Sequence, residues 1–163
     1  MTVYWEIAKD MELEGKRFYK QLSEQSEIKE LKVVFDFLAF QEEMHYSAFC
    51  KLEGNEEVAF EEKHNALRKA KEIFSQIAPD FSAPAELNTA SEAYRKARML
   101  ETGGIKYYMR LLESAESEDE KNAIKRIVRE EENHIRVLDA LIYFVNRPKE
   151  WLENAEFTHL EAY

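Results

Sequence analysis

At 163 residues the chain has about the length of one domain, enough to bury a real core. Only 4 Gly and 3 Pro, with 34 % of residues charged, indicate a mostly helical protein, and a net charge of −10 argues against nucleic acid as a partner. The single cysteine, Cys50, excludes an internal disulfide framework and fits a reducing, cytoplasmic setting; Met1 to Asp10 lacks a cationic segment followed by an apolar run, and no window approaches a membrane span.

The first predicted helix carries Ala8, Glu12, Gly15, Phe18 and Tyr19, with Glu12 between Ala8 and Tyr19 on one stripe. Ser23-Glu24-Gln25-Ser26-Glu27 follows, a polar, serine-containing break where a turn and a helix N-cap are expected. In the second helix the apolar positions run Leu31, Val34, Phe35, Leu38 and resume at Phe49 and Leu52. Glu42 and His45 fall on the same stripe and therefore point inward. Cys50 reads as a small core residue. Residues 2–53 thus form a first hairpin.

Residues 54–87 read as a crossover. Glu61 to Ile77 has Ala66, Leu67, Ala70, Ile73, Phe74 and Ile77 in helical register, and Pro79 and Pro84 then break the chain. His64, in the charged run Glu61-Glu62-Lys63-His64, reads as part of a solvated helix face. The third bundle helix is expected to start near Asn88 or Thr89 and carries Ala97, Glu101, Gly104, Tyr107 and Tyr108. A second polar break spans Ser114 to Asp119. The last helix places Ile124, Ile127 and Val128 before Glu131 and His134, with Leu138, Leu141 and Val145 after them, closing a second hairpin at 88–146. Arg147-Pro148 ends that helix. The tail, 147–163, keeps Trp151, Leu152, Phe157, Leu160 and Tyr163, so it is expected to dock on the bundle or on a second subunit, with His159 at a surface or interface.

The two hairpins repeat each other. Ala8, Glu12, Gly15, Phe18, Tyr19, Leu38, Glu42 and His45 recur 89 positions later as Ala97, Glu101, Gly104, Tyr107, Tyr108, Ile127, Glu131 and His134. Glu-x-x-His alone is weak evidence, because all four histidines have a glutamate three residues before them. What distinguishes His45 and His134 is the apolar stripe around them, a partner glutamate 30 residues upstream of each Glu42 and Glu131, and the repeat itself. The midpoints of those 30-residue spans, Glu27 and Glu116, fall in the two polar breaks, so each hairpin brings its two glutamates to one level, about 22 Å from its turn by the helical rise.

Four carboxylates facing one core would repel one another and neutralise unless compensated. Two divalent cations balance four glutamates, and two neutral imidazoles complete a mixed oxygen and nitrogen set suited to iron or manganese, with zinc as a further substitute. A polar core without metal is the alternative. Gly15 and Gly104, each three residues after a proposed ligand, either leave room beside the metals or allow close helix packing. Tyr19 and Tyr108 are either donors that orient the carboxylates of Glu12 and Glu101 or ordinary core tyrosines.

Ala-x-x-x-Glu-x-x-Gly-x-x-Phe-Tyr followed by Leu-Ala-x-x-x-Glu-x-x-His, repeated in degenerate form, resembles the rubrerythrin-like branch of the ferritin-like di-iron carboxylate proteins. The resemblance covers roughly Thr2 to Glu53 and Asn88 to Asn146. It implies an all-α, ferritin-like four-helix bundle and a homodimer. It also implies a centre of two iron ions ligated by Glu12, Glu42, His45, Glu101, Glu131 and His134, with Glu42 and Glu131 bridging and Glu12 and Glu101 terminal. Two departures stand out. A rubredoxin module needs four cysteines where this chain has only Cys50, so a rubredoxin-like or other electron donor is expected to be a separate molecule. The peroxide-reducing members carry an additional carboxylate where this chain has Gly104. The expected function is a redox protein that reduces O2 or H2O2 in oxidative-stress defence. The alternatives are Fe(II) oxidation for iron handling, or a structural or binding protein that uses metal only for stability.

Overall fold

The computed structural model describes residues 2–61, 65–77 and 87–146, and within them every regular element is a helix. These are α1 (Thr2–Gln25), α2 (Lys29–Glu53), α3 (Ala66–Phe74), α4 (Leu87–Ser114) and α5 (Glu118–Asn146). His64, His159, the two crossover prolines and the tail 147–163 lie outside the described residues.

Each hairpin turns where the polar breaks predict, at 26–28 and at 115–117. The two turns are built differently. Ser117 Oγ accepts from Glu120 N at 3.1 Å while Glu120 Oε2 accepts from Glu116 N at 3.0 Å, so a serine and a glutamate three residues on satisfy the free N–H groups that open α5. At the start of α2 the capping position is Ile28, whose side chain can accept nothing, and Ser26 Oγ accepts from Ile28 N at 3.3 Å instead. The far end of α2 is closed by Gly54 and by Asn55, which takes the left-handed conformation (φ 57°) that asparagine tolerates. Glu56 N then bonds back to Lys51 O at 2.8 Å.

α1 packs on α2, α4 on α5, and the hairpins join through α1 against α4 and α2 against α5. Two apolar clusters fill the bundle. One gathers Leu22, Ile28, Leu31, Phe35 and Leu38 with Val137, Leu141, Phe144 and Val145; the other gathers Trp5, Phe49 and Leu52 with Leu111, Ala115, Ile124 and Ile127. The first contains the α1–α2 turn and the second abuts the α4–α5 turn, so the hairpins enter from opposite ends of the bundle. The chain must therefore run the length of the bundle between α2 and α4, which explains the long crossover.

Within that crossover α3 is shorter than the predicted helix over 61–77. Asn65 caps it, accepting from Arg68 N at 3.0 Å, and residues 56–61 have no regular structure, with Val58 and Phe60 packed against the second cluster. The apolar register holds: Ala66, Ala70, Ile73, Phe74 and Ile77 are buried, and α3 lies against α2 and α5. Every apolar stripe residue predicted for α2 and α5 is buried as well. Cys50 departs from expectation, being half-buried at the edge of the α2 stripe, one turn after Tyr46.

Candidate metal centre

Between the two apolar clusters lies a polar layer. Glu12, Glu42, His45, Glu101, Glu131 and His134 are all at most 5 % exposed, although they come from four helices. Their ligand atoms form two overlapping groups, Glu12, Glu42, His45 and Glu131 in one and Glu42, Glu101, Glu131 and His134 in the other, each with its atoms within 4.8 Å of one another. Glu42 and Glu131 belong to both. Each of the remaining four serves one group, so a glutamate from the first helix of a hairpin is joined by the histidine of that hairpin's second helix.

The imidazoles stack 5.8 Å apart and turn Nδ1 toward the carboxylates. His45 Nδ1 lies 2.8 Å from Glu131 Oε1 and 3.4 Å from Glu12 Oε2; His134 Nδ1 lies 3.0 Å from both Glu101 Oε1 and Glu42 Oε1 and 3.3 Å from Glu131 Oε2. The other nitrogens face outward and donate, His45 Nε2 to Glu130 Oε2 at 2.5 Å and His134 Nε2 to Gln41 Oε1 at 2.6 Å.

The tyrosines settle between their two readings by being both. Tyr19 and Tyr108 are buried in the core, and each hydroxyl donates to a ligand-type carboxylate, but across the bundle: Tyr19 to Glu101 and Tyr108 to Glu12 at 2.5 Å. A tyrosine seven residues after a glutamate on one helix stands about 10.5 Å along the axis from it. Antiparallel packing of α1 on α4 brings the opposite glutamate to its level instead.

The same register places Gly15 near Gly104, and the two have different reasons to be glycine. A Cβ at Gly15 would stand 2.4 Å from Glu42 Oε2, so the missing side chain makes room for that carboxylate. A Cβ at Gly104 would meet only the Tyr108 ring at ordinary contact distance, 3.5 Å. Between them lies a cavity of about 20 Å³, bounded by Met11, Phe18, Ala97 and Leu100 and reaching the four glutamates. It is large enough for one water-sized molecule.

The electrostatics divide the carboxylates into two kinds. Burial, and then the charges of the neighbouring glutamates, push Glu42 and Glu131 well above the usual carboxylate range. Burial acts the same way on Glu12 and Glu101, but the charges of His45 and His134 and the bonds from histidine and tyrosine outweigh it, leaving Glu12 below its ordinary value and Glu101 at about 2. Burial would lower both histidines, yet the glutamates around them raise both well above 6.5. Tyr19 and Tyr108 are driven well above 10, by burial first and then by Glu101 and Glu12 respectively, so they remain O–H donors.

Whether the set suits metal ions can be judged from its own oxygens. Glu12 Oε2, Glu42 Oε1 and Glu131 Oε2 are buried and accept no hydrogen bond, although each lies near a histidine nitrogen. Buried carboxylate oxygens left without a donor are costly. Cations held between the two histidines would satisfy them, and glutamate with imidazole is a donor set for iron, manganese or zinc. The six residues therefore fit a pair of divalent ions.

All eight predicted site residues are thus brought together. Gln41 and Glu130 were missed, although a signal for them existed: they too lie 89 positions apart, each four residues before a site histidine and so on its face of the helix.

The helical bundle and this buried cluster agree with what sequence comparison finds. Neither the curated proteins nor the solved structures give a match to this chain. The family model described as Rubrerythrin matches residues 5–142, most of its length, and the chain belongs to the rubrerythrin family.

Proposed function

We propose that the protein is a di-iron redox protein that reduces O2 or H2O2 with electrons from a separate donor. The observation that carries this reading is the pair of overlapping glutamate and histidine groups beside a cavity of about 20 Å³ with apolar walls. Two iron ions bound there would each supply one electron to an oxidant.

The chain's own residues do the rest. Glu42 and Glu131, common to both groups, would be shared by the two ions; Glu12 with His45 and Glu101 with His134 would complete the two positions. Tyr108 and Tyr19 hold Glu12 and Glu101 by hydrogen bonds, which orients one carboxylate oxygen and leaves the other for a metal. Met11, Phe18, Ala97 and Leu100 keep the cavity poor in water, and Gly15 keeps it open to Glu42. Among the described residues no helix is long and apolar enough to cross a membrane, and with a single cysteine we place the protein in the reducing cytoplasm, as a homodimer.

Metal analysis of the purified protein, followed by spectra of the reduced centre after each oxidant, tests this reading. Two irons per chain, with absorption gained by the reduced centre on addition of H2O2 or O2 and one turnover per two electrons taken from the donor, are expected. Turnover of many added Fe(II) per chain would instead establish iron oxidation for storage or transfer, and a centre inert to both oxidants would leave a structural role.

A further inference from the structure

The glutamates, histidines, tyrosines and glycines of the centre match between the two halves, but just behind the histidines an amide stands in one half and a carboxylate in the other. His134 Nε2 donates to Gln41, which is 1 % exposed; His45 Nε2 donates to Glu130, whose side chain is 13 % exposed. Arg126 Nε donates to the other Glu130 oxygen at 3.0 Å, and its guanidinium lies over the Phe60 ring, so Glu130 is anchored as a carboxylate with one oxygen aimed at His45. The residue matching Arg126 in the first half is Phe37, which carries no charge. A carboxylate in place of Gln41 would be a fifth acid buried beside the cluster, and the amide accepts the same bond without that charge.

An ionised acceptor pulls harder on an imidazole N–H than an amide carbonyl does, and the electron density it displaces collects at the far nitrogen of the ring. Here that far nitrogen is Nδ1, the atom turned toward the carboxylates in both histidines. We propose that Glu130 and Gln41 make the two metal positions unequal, the position served by His45 filling first and holding its ion more tightly, and the position served by His134 being the labile one. This rests on the di-metal reading above. Glu130 acts through His45 and is a positioning residue; the inequality assigns an order of loading and of loss to two positions whose inner ligands are alike.

Stepwise titration of the metal-free full chain with Zn(II) against a chelator tests it, with 57Fe(II) added anaerobically for Mössbauer spectra. The wild-type chain should take up two ions in two resolved steps, and one equivalent of 57Fe(II) should give mainly one quadrupole doublet. Glu130→Gln should weaken the tighter step about 10- to 100-fold, merging it with the second, and let one equivalent of iron spread over two doublets. Gln41→Glu approaches from the other side and should tighten the weaker step. His45→Ala should remove the tighter step and His134→Ala the weaker one. Two unresolved steps, unmoved by either exchange at 41 or 130, would overturn this inference alone, and a wild-type chain that binds no ion would overturn the di-metal reading with it.

Discussion

The two hairpins place a glutamate, a glycine, a tyrosine and a Glu-x-x-His at identical offsets, yet they differ in how each is finished. The second opens its second helix with the Ser117 and Glu120 cap and has its histidine, His134, backed by Gln41 of the first; the first opens its second helix with Ile28 and Ser26 and has its histidine, His45, backed by Glu130 of the second. Gly15 yields space to Glu42, whereas Gly104 yields space to nothing closer than a tyrosine ring. Residues whose atoms reach the shared centre are under a common geometric constraint and coincide. One layer outward the side chains do not reach the shared centre, and the halves diverge.

Removing a shared carboxylate should break the comparison most severely, since Glu42 and Glu131 each belong to both groups. Glu42→Ala and Glu131→Ala should each leave at most one ion per chain by metal analysis, and normal stoichiometry in both would defeat the bridging assignment.

Protons come next. Taken alone, the side chains hold protons on Glu42 and Glu131 and an extra one on each histidine, all four raised above their ordinary values. A group whose folded value is raised stabilises the fold below its unfolded value, and that stabilisation is lost as pH rises toward the folded one. The metal-free protein should therefore melt at progressively lower temperature as pH rises from the ordinary carboxylate value of 4.5 through the ordinary histidine value of 6.5 and beyond. Glu12 and Glu101 act oppositely, but only below 4.5. Two divalent ions displacing those protons should release about four per chain, readable with a pH indicator in weak buffer, and metal affinity should rise with pH. Loading without proton release would mean that the ions bind elsewhere.

The glycines sharpen the contrast between hairpins. Gly15→Ala should displace the Glu42 carboxylate and weaken metal binding about 10-fold or more, because an added Cβ would stand 2.4 Å from its oxygen. Gly104→Ala should leave binding intact and raise metal-free stability by about 0.5–1 kcal/mol through helix propensity alone. Equal effects on metal affinity would show that the halves are more alike than their packing indicates.

The smallest effect belongs to the turns. Ser117→Ala should cost about 1 kcal/mol in chemical denaturation, as loss of a helix cap does. Ser26→Ala should cost less, since its hydroxyl bonds Ile28 within the turn and caps no helical N–H. A larger loss at Ser26 would reverse the assignment of which turn depends on its serine.

The four long helices, both turns, the burial of six ionisable ligand-type side chains and the crossover were all readable from residue order, because each is written in spacings within one helix or one hairpin. Apolar residues at three- and four-residue steps define a face, and a glutamate or histidine inserted in that face has to point inward. What no local spacing contains is the register between helices remote in the chain. Antiparallel packing of α1 on α4 decided that Tyr19 serves Glu101 and Tyr108 serves Glu12, and packing of α2 against α5 decided that Gln41 and Glu130 stand behind the histidines of the opposite hairpin. It also required the packing of 56–61 on the second cluster, with Asn65 as cap, to shorten the crossover helix that periodicity alone would extend. The tyrosine and histidine bonds between the hairpins join residues 82 to 96 positions apart, and only the folded bundle determines which of them meet.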